Sequence, residues 1–157
     1  MKALLDEIDR LAQGDPQQFA LQRESVSKWS VAEQLDHAIR VCSAILLKVL
    51  EPSEIVPQKL NWIGRLVLLA GYIPRGKGKS PKAFLPVPCS QQQLRQSVGE
   101  TRALLDRVLA GRSSESSDRI VRHPLFGGLT AKEALVFANI HTRHHLAIVR
   151  DILAARV

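Results

Sequence analysis

Two histidines near the end of the chain have a spacing that could bind a metal ion. His141 and His145 are four residues apart, so in a helix they lie about 40° apart with Cβ atoms ~6 Å apart. Both fall on an apolar stripe that also contains Ala134, Ala138, Ile148 and Ile152. Two imidazoles in a core have four ring nitrogens, and each unsatisfied one costs ~1–3 kcal/mol. A divalent metal would satisfy one nitrogen of each ring, and two buried neutral histidines bonded to polar neighbours are the alternative.

His37 is the third candidate ligand. It lies two turns into a predicted helix, beside a stripe formed by Ala38, Val41 and Ile45. In a helical bundle this position can face the last helix, so three imidazoles would come from two helices. The alternative is a partly exposed histidine at the edge of the core.

Several other side chains are candidates for roles around these three. His144 lies about 100° from His145 around the helix and is expected at the edge of the site, as a contact of ligands or substrate or as a surface residue. Glu33 precedes His37 by one turn and is the best-placed carboxylate, although it also fits a capping box. His123 precedes Pro124, where it could reach the same end of the bundle or stabilise a turn. Cys42 lies on an apolar stripe and is expected in the core.

Three neutral imidazoles would leave the +2 charge of a bound ion undiminished. A His₃ zinc site lowers the pKa of its bound water to ~7, and the same field favours a thiolate over a thiol. The predicted function is therefore a divalent-metal-dependent enzyme that acts on a small molecule, either as a thiol-dependent transferase or isomerase or as a hydrolase. No carboxylate is clearly placed as a general base. The alternative is therefore a non-enzymatic bundle that binds a metal or small ligand in sensing or stress response.

The elements that must position these residues are helices with consistent start signals. Capping boxes occur at Ser30-Val-Ala-Glu33, Ser90-Gln-Gln-Gln93 and Thr130-Ala-Lys-Glu133, and an amphipathic pattern follows each of them. A first helix is predicted over 2–13 and a more apolar helical segment over 60–72. Because no β alternation is evident, 74–89 and 112–129 are predicted to be long loops. The expected fold is an all-α four-helix bundle with an additional short helical segment, in a single domain over 1–157.

Two motifs resemble a known family. Lys28-Trp-Ser-Val-Ala-Glu-Gln-Leu-Asp-His37 is similar to the W-S-x-x-E-x-x-x-H stretch of the DinB/YfiT-like superfamily of metal-dependent enzymes. The run from His123-Pro-Leu-Phe-Gly-Gly-Leu129 to His141-Thr-Arg-His-His145 resembles an uncharacterised subgroup with a C-terminal H-x-x-H-H helix. The resemblance implies a four-helix bundle, often a homodimer, with zinc or nickel bound by His37, His141 and His145. Some relatives are thiol S-transferases or a maleylpyruvate isomerase, which implies a low-molecular-weight thiol as cosubstrate.

The charge of the chain is concentrated in one segment. The net charge is +7, and residues 55–99 contain seven bases and no acid. Nucleic acid is not expected as a partner, because aromatic residues make up only 4% and none alternate with the bases of the loop 75–82. We expect instead a small, anionic substrate, with Lys77 and Lys79 close to the histidines.

The remaining composition is that of a cytoplasmic globular protein. Cys42 and Cys89 are far apart and form no C-x-x-C pair, which is typical of a reducing compartment. Three acids occur among the first nine residues, where a signal peptide would be apolar. The apolar run 60–73 contains Arg65 and is too short to span a bilayer. No membrane partner is therefore predicted.

Overall fold

Four long helices form the bundle of the computed structural model, which describes residues 1–51, 55–76, 80–111 and 118–155. They are α1 (Lys2–Ala12), α3 (Val31–Leu50), α5 (Gln91–Ala110) and α6 (Ala131–Ala154). Helix α3 is central, since it packs against both α5 and α6, and α1 packs against α5. The core contains the large side chains that are fully buried, among them Leu5, Ile8, Leu35, Leu46, Leu94, Leu146 and Ile152. The predicted all-α bundle is confirmed.

The three predicted capping boxes set the starts of the three longest helices. At α3 the Ser30 amide donates to a Glu33 carboxylate oxygen at 2.8 Å, and the Glu33 amide donates to Ser30 Oγ at 3.3 Å. The same reciprocal pairs form between Ser90 and Gln93 and between Thr130 and Glu133. Each box satisfies amides that a helix start leaves without an intrahelical partner, so these starts follow from local sequence.

The prediction that 112–129 is a loop was wrong for 119–129, whereas 112–117 lie outside the described residues. Strand β1 (Arg119–His123) pairs antiparallel with β2 (Gly127–Thr130), and the hairpin leads directly into α6. Gly127 allows the turn because its φ is +86° and a Cβ there would lie 2.5 Å from the Lys59 carbonyl oxygen. The hairpin depends on this tertiary contact, which alternation within the strands does not reveal.

Three short helices complete the fold. Helix α2 (Pro16–Ala20) follows the predicted stop of α1, because Asp15 caps it and Pro16 occupies its first turn. The predicted additional segment is α4 (Trp62–Ala70), shorter at both ends than expected. A 3₁₀ helix (Lys82–Phe84) interrupts the predicted loop 74–89. Within the described ranges, no helix has the length and apolar character that crossing a membrane requires.

Candidate metal centre

Helices α3 and α6 bring His37, His141 and His145 together. The ring centroid of His37 lies 5.0 Å from that of His141 and 4.6 Å from that of His145, and the last two are 4.5 Å apart. One nitrogen from each ring lies within 4.8 Å of the other two nitrogens. The predicted juxtaposition of three imidazoles from two helices is therefore present, and these nitrogens are close enough to be shared by one ion.

Hydrogen bonds orient two of the three rings. His37 Nδ1 donates to the backbone carbonyl oxygen of Phe84 at 2.6 Å, and His145 Nδ1 donates to Gln34 Oε1 at 2.6 Å. A carbonyl oxygen only accepts, so Nδ1 carries the proton and Nε2 keeps a lone pair in both rings. Histidines that bind metals commonly have such a partner on their other nitrogen.

The side chain of Gln34, which accepts the bond from His145, is fixed by a further contact. Gln34 Nε2 donates to Ser27 Oγ at 2.8 Å, and the same oxygen accepts the Trp29 amide at 2.9 Å. These bonds turn the Gln34 carbonyl oxygen toward His145. Gln34 itself is 3% exposed, so the amide has a defined orientation.

His141 provides a test of whether the cluster fits a metal. Its Nδ1 is buried and is one of two buried side-chain polar atoms without a hydrogen-bond partner among the described residues. A buried nitrogen without a partner costs free energy. A metal ion bound to the cluster would give the His141 ring a polar partner. The three residues therefore fit a three-histidine centre for a divalent ion.

The three imidazoles are neutral at neutral pH. Burial, and to a smaller extent the nearby His37, lowers the pKa of His141 to about 3. Burial also lowers the pKa of His37 and, more strongly, that of His145. Metal ligation requires unprotonated imidazole, so the protein already holds the rings in the form that binds.

The cluster lies in the wall of a cavity of about 710 Å³. The cavity is bordered by α3, α6, the hairpin and residues of 73–76 and 80–84, and its walls include Ile45, Phe126, Phe137 and Ile148. Lys28, Lys48 and Arg122 also line it, whereas the described lining contains no carboxylate. The cavity thus combines apolar walls with positive charge.

Arg40 holds the segment that supplies the Phe84 carbonyl. Its guanidinium donates to the carbonyl oxygens of Leu85 and Ala83 at 2.7 and 2.8 Å. Because Arg40 is on α3, one turn after His37, the 3₁₀ helix is fixed against the helix that carries this ligand. The backbone acceptor for His37 is thereby placed by a side chain from the same helix.

Glu33 and His144 occupy different positions relative to the cluster. Glu33 is bonded to both the amide and the hydroxyl of Ser30, and it does not line the cavity. His144 does line the cavity, and its ring centroid lies 5.1 Å from that of His145. Burial lowers the pKa of His144, which also bonds to the backbone of Ile73.

His123 is a further histidine of the cavity wall. Its ring stacks on Phe126 at 4.0 Å and meets the edge of Phe137 at 4.7 Å. Its Nδ1 accepts the Leu125 amide at 3.2 Å. His123 therefore both reaches the site and stabilises the turn, the two roles that its position before Pro124 left open.

The cysteines lie away from this cluster. Cys42 is in the core at 1% exposure, as predicted, and burial raises its pKa to about 11. Burial likewise raises the pKa of Cys89 to about 11. Both are protonated thiols at neutral pH, and neither lines the cavity.

Three residues of the site have no assigned role in the sequence-based prediction. Trp29 has its ring centroid 5.0 Å from that of His37 and stacks near His145 at 6.3 Å. Gln34 could have been found as a polar residue on the buried face of α3, three residues before His37. No sequence signal indicates the role of the Phe84 carbonyl, because the position of a backbone acceptor in a loop is decided only by the fold.

The basic loop is only partly described. Lys77 and Lys79, which were predicted to lie close to the histidines, are outside the described residues. Gly76 and Ser80, on either side of them, line the cavity. Arg75 forms an ion pair with Asp151 at 2.7 Å.

Comparison with known proteins gives the family. The model of the DinB superfamily matches residues 2–149. An uncharacterised protein, YuaE of Bacillus subtilis (strain 168), is 26% identical over 133 residues, which cover 83% of this chain and 81% of that protein. No solved structure is matched. The match of the family model over nearly the whole chain, together with the helical bundle and the three-histidine cluster, shows that the chain belongs to the DinB superfamily.

Proposed function

We propose that this protein is a divalent-metal-dependent enzyme that acts on a small molecule in the cavity beside His37, His141 and His145. The observation that carries the proposal is the preorganised cluster: three neutral imidazoles converge, and two of them are oriented through Nδ1 by Phe84 and Gln34. Such orientation raises the affinity of a metal site. These partners satisfy only Nδ1 of each ring, so the lone pair on Nε2 of His37 and of His145 is left for another ligand.

The chemistry follows from the charge of the donors. A divalent ion bound by three neutral imidazoles would keep its full charge, which favours the ionised form of a thiol or water molecule nearby. The protein's own residues hold the rings, and Trp29 and Phe137 cover them with apolar surface. This surface limits the access of bulk water to the reacting groups.

The site is better suited to activating a thiol cosubstrate than to activating water for hydrolysis. A thiol has an ordinary pKa of about 8.5, whereas bulk water has a pKa of about 15.7. Ionising a thiol at neutral pH therefore requires a smaller lowering of the pKa than ionising water does. The described lining also offers no carboxylate to accept a proton from water. Thiol-dependent transfer or isomerisation is the reaction class we propose, and hydrolysis is the alternative.

The substrate we propose is anionic with an apolar part. Basic side chains, Lys28 among them, line the cavity, and positive charge at a cavity wall attracts anions. Ile45, Ile148 and Phe137 offer apolar contact to the remainder of the molecule. The basic character of residues 55–99 adds to the same field.

A non-enzymatic role in binding a metal or small ligand is the second candidate. The observation that favours it is again the absence of a carboxylate from the described lining, because many metal-dependent enzymes use one as general base. The two candidates share the metal site and differ only in turnover.

Metal analysis of protein purified without a histidine tag tests the site. We expect about one equivalent of zinc or nickel in the wild type and a large loss in His37→Ala and His141→Ala. His144→Ala is the matched control, since it removes a cavity histidine from the same helix but outside the cluster. Equal metal content in the wild type and His141→Ala would contradict the proposal.

Turnover separates the two candidate functions. Metal-loaded protein is assayed with a panel of electrophiles and cellular thiols, and consumption of the thiol is followed. Metal-dependent turnover that is lost in His37→Ala supports the enzyme. Normal metal content without turnover of any thiol or ester substrate supports the binding protein.

A further inference from the structure

Helix α4 presents an apolar face to solvent. Trp62, Leu66 and Leu69 have the spacing i, i+4 and i+7, so they lie on one side of the helix. Their exposed fractions are 73%, 56% and 87%. Scattered exposed apolar residues are common, but a contiguous row of large ones marks an interaction surface.

The opposite side of α4 is fixed to the bundle. Gly64 and Val67 are buried, and a Cβ on Gly64 would lie 2.9 Å from Phe126 Cβ. The helix is held at its start by Asn61, whose side chain donates to the Leu125 carbonyl oxygen at 2.7 Å. At its end the Gly71 carbonyl oxygen accepts from Arg143 at 3.0 Å. The helix therefore cannot turn its outer row inward without breaking these contacts.

Other large apolar side chains before and after α4 and in the neighbouring turn are also exposed. Ile55 before the helix and Tyr72 after it are 68% and 59% exposed. Leu125, which accepts the bond from Asn61, is 55% exposed. We call these three residues, with Trp62, Leu66 and Leu69, the α4 surface. Tryptophan, tyrosine and leucine are the residues that interfacial helices place at the boundary of a bilayer.

The charge around the α4 surface is positive. It lies in and beside the segment 55–99, which contains seven bases and no acid. Lys59 and Arg65 are exposed beside it. Arg75 and Arg95 of the same segment are paired with Asp151 and Asp9, so the charge beside the α4 surface is that of Lys59 and Arg65.

We propose that the α4 surface binds an anionic lipid surface, with α4 lying in the plane of the bilayer interface. Apolar side chains flanked by bases complement acyl chains beneath anionic headgroups. This is peripheral binding, which is compatible with the lack of a membrane-spanning helix among the described residues. It differs from the sequence-based prediction of no membrane partner, because the exposure of α4 is not visible in the sequence.

A second copy of the chain is the competing occupant. A symmetric dimer through the same face would place two acid-free segments against each other. Like charges at an apolar contact oppose association. The same positive charge attracts an anionic lipid surface, so the observations favour a lipid surface over a second copy.

Cosedimentation with vesicles tests the proposal on the full chain. Vesicles of phosphatidylcholine mixed with phosphatidylglycerol are compared with phosphatidylcholine alone, at low and high salt. We expect binding to the anionic vesicles, weaker binding at high salt, and a partition coefficient at least about tenfold lower in the double variant Leu66→Ser/Leu69→Ser. The matched control is Leu109→Ser/Val136→Ser, which removes two exposed apolar residues that are 41% and 42% exposed elsewhere.

Charge variants and sedimentation velocity complete the test. Arg65→Gln is expected to lower binding to anionic vesicles, and Lys132→Gln on α6 is the control. Wild-type protein that stays unbound at low salt overturns the proposal, as does equal binding of the Leu66→Ser/Leu69→Ser variant. A dimer that this variant dissociates, without vesicle binding by the wild type, assigns the face to a second copy and also overturns it. Metal analysis is independent of every outcome.

Discussion

Each of the three clustered histidines has a different kind of neighbour. His37 is bonded to a backbone carbonyl, His145 to a side-chain amide, and His141 Nδ1 to no partner among the described residues. Only the Gln34 contact can be removed by changing one side chain that is not itself a ligand. Gln34 therefore offers a test of how much orientation contributes to metal affinity.

Gln34→Leu should weaken metal binding without removing a ligand. The change deletes the acceptor for His145 Nδ1 while keeping a buried side chain of similar length, so the ring loses its fixed orientation. We expect roughly 10- to 100-fold lower affinity, measured by competition with a chelator. Gln34→Glu, which keeps an acceptor, should bind metal more tightly than Gln34→Leu, and equal affinities of the two variants would contradict this role.

His123 should make the stability of the metal-free protein depend on pH. Burial lowers the pKa of His123 to about 4, below the ordinary value of about 6.5. Between pH 6.5 and 4 the unfolded chain therefore binds more protons than the folded one, and stability falls as the pH falls. Protonation would also remove the Nδ1 lone pair that accepts the Leu125 amide.

His123→Phe isolates this contribution. The variant keeps an aromatic ring next to Phe126 and Phe137 but cannot titrate. Denaturant unfolding of chelator-treated protein should show a free energy of unfolding that falls less steeply below pH 6.5, by at most about 1.4 kcal/mol per pH unit. Parallel curves for the wild type and His123→Phe would show that the His123 pKa is not lowered in the folded state.

At the scale of elements, the site is built from two predictable helices and two connections that were predicted as loops. The capping boxes at Ser30 and Thr130 fix the starts of α3 and α6, and helical periodicity places the three histidines on inward faces. The three candidate ligands could therefore be predicted from local pattern. The Phe84 acceptor could not, because it depends on a 3₁₀ helix that Arg40 holds against α3.

The hairpin shows the same limit of local sequence. Residues Gly127–Thr130 are rich in glycine and read as a turn, yet they pair with β1 and contact Lys59. Helix α2 was missed for a different reason, since Asp15 and Pro16 end one helix and also begin the next. Signals that stop an element and signals that start one can thus be the same residues.

Gly64→Ala should loosen α4 from the bundle. A Cβ at this position would clash with Leu60 and lie 2.9 Å from Phe126 Cβ, so α4 or the hairpin must shift. We expect a loss of about 1–3 kcal/mol in the free energy of unfolding, measured by denaturant titration.

Gly99→Ala is the matched control in a helix interior. Nothing lies within 4 Å of a Cβ built at Gly99 of α5, so alanine there should raise stability by roughly 0.5–1 kcal/mol. If the free energy of unfolding changes with opposite sign in the two variants, close packing, rather than glycine's low helix propensity, decides the outcome at Gly64. A stabilising Gly64→Ala would show that the contact with Phe126 is not tight.

For the whole molecule, the position of the positive charge matters more than its total. Two residues of the basic segment 55–99, Gly76 and Ser80, line the cavity, and two of its bases, Lys59 and Arg65, are exposed beside the α4 surface. Outside this segment the chain has 15 bases and 15 acids, and many of these pair across helices, as Arg150 does with Glu7 at 2.7 Å. Outside residues 55–99 the bases and acids are therefore equal in number. The segment with the excess of bases is the one where we propose that anions bind.

Metal binding should stabilise the whole bundle, because the cluster joins α3 to α6 through the core. An ion that binds only the folded chain adds RT ln(1 + [metal]/Kd), about 4 kcal/mol at a metal concentration a thousand times Kd. For a chain of this size that corresponds to a rise in Tm of roughly 8–16 °C. Differential scanning calorimetry of chelator-treated protein, with and without zinc or nickel, measures it.

The variants decide whether such a rise comes from this cluster. His141→Ala removes one ligand and should lose most of the shift, whereas His144→Ala should keep it. A single cooperative transition in each protein would also support the prediction that residues 1–157 form one domain. If zinc raised the Tm of His141→Ala as much as that of the wild type, the ion would be binding elsewhere. The proposal that a metal ion joins α3 to α6 would then be wrong, even though the three rings converge.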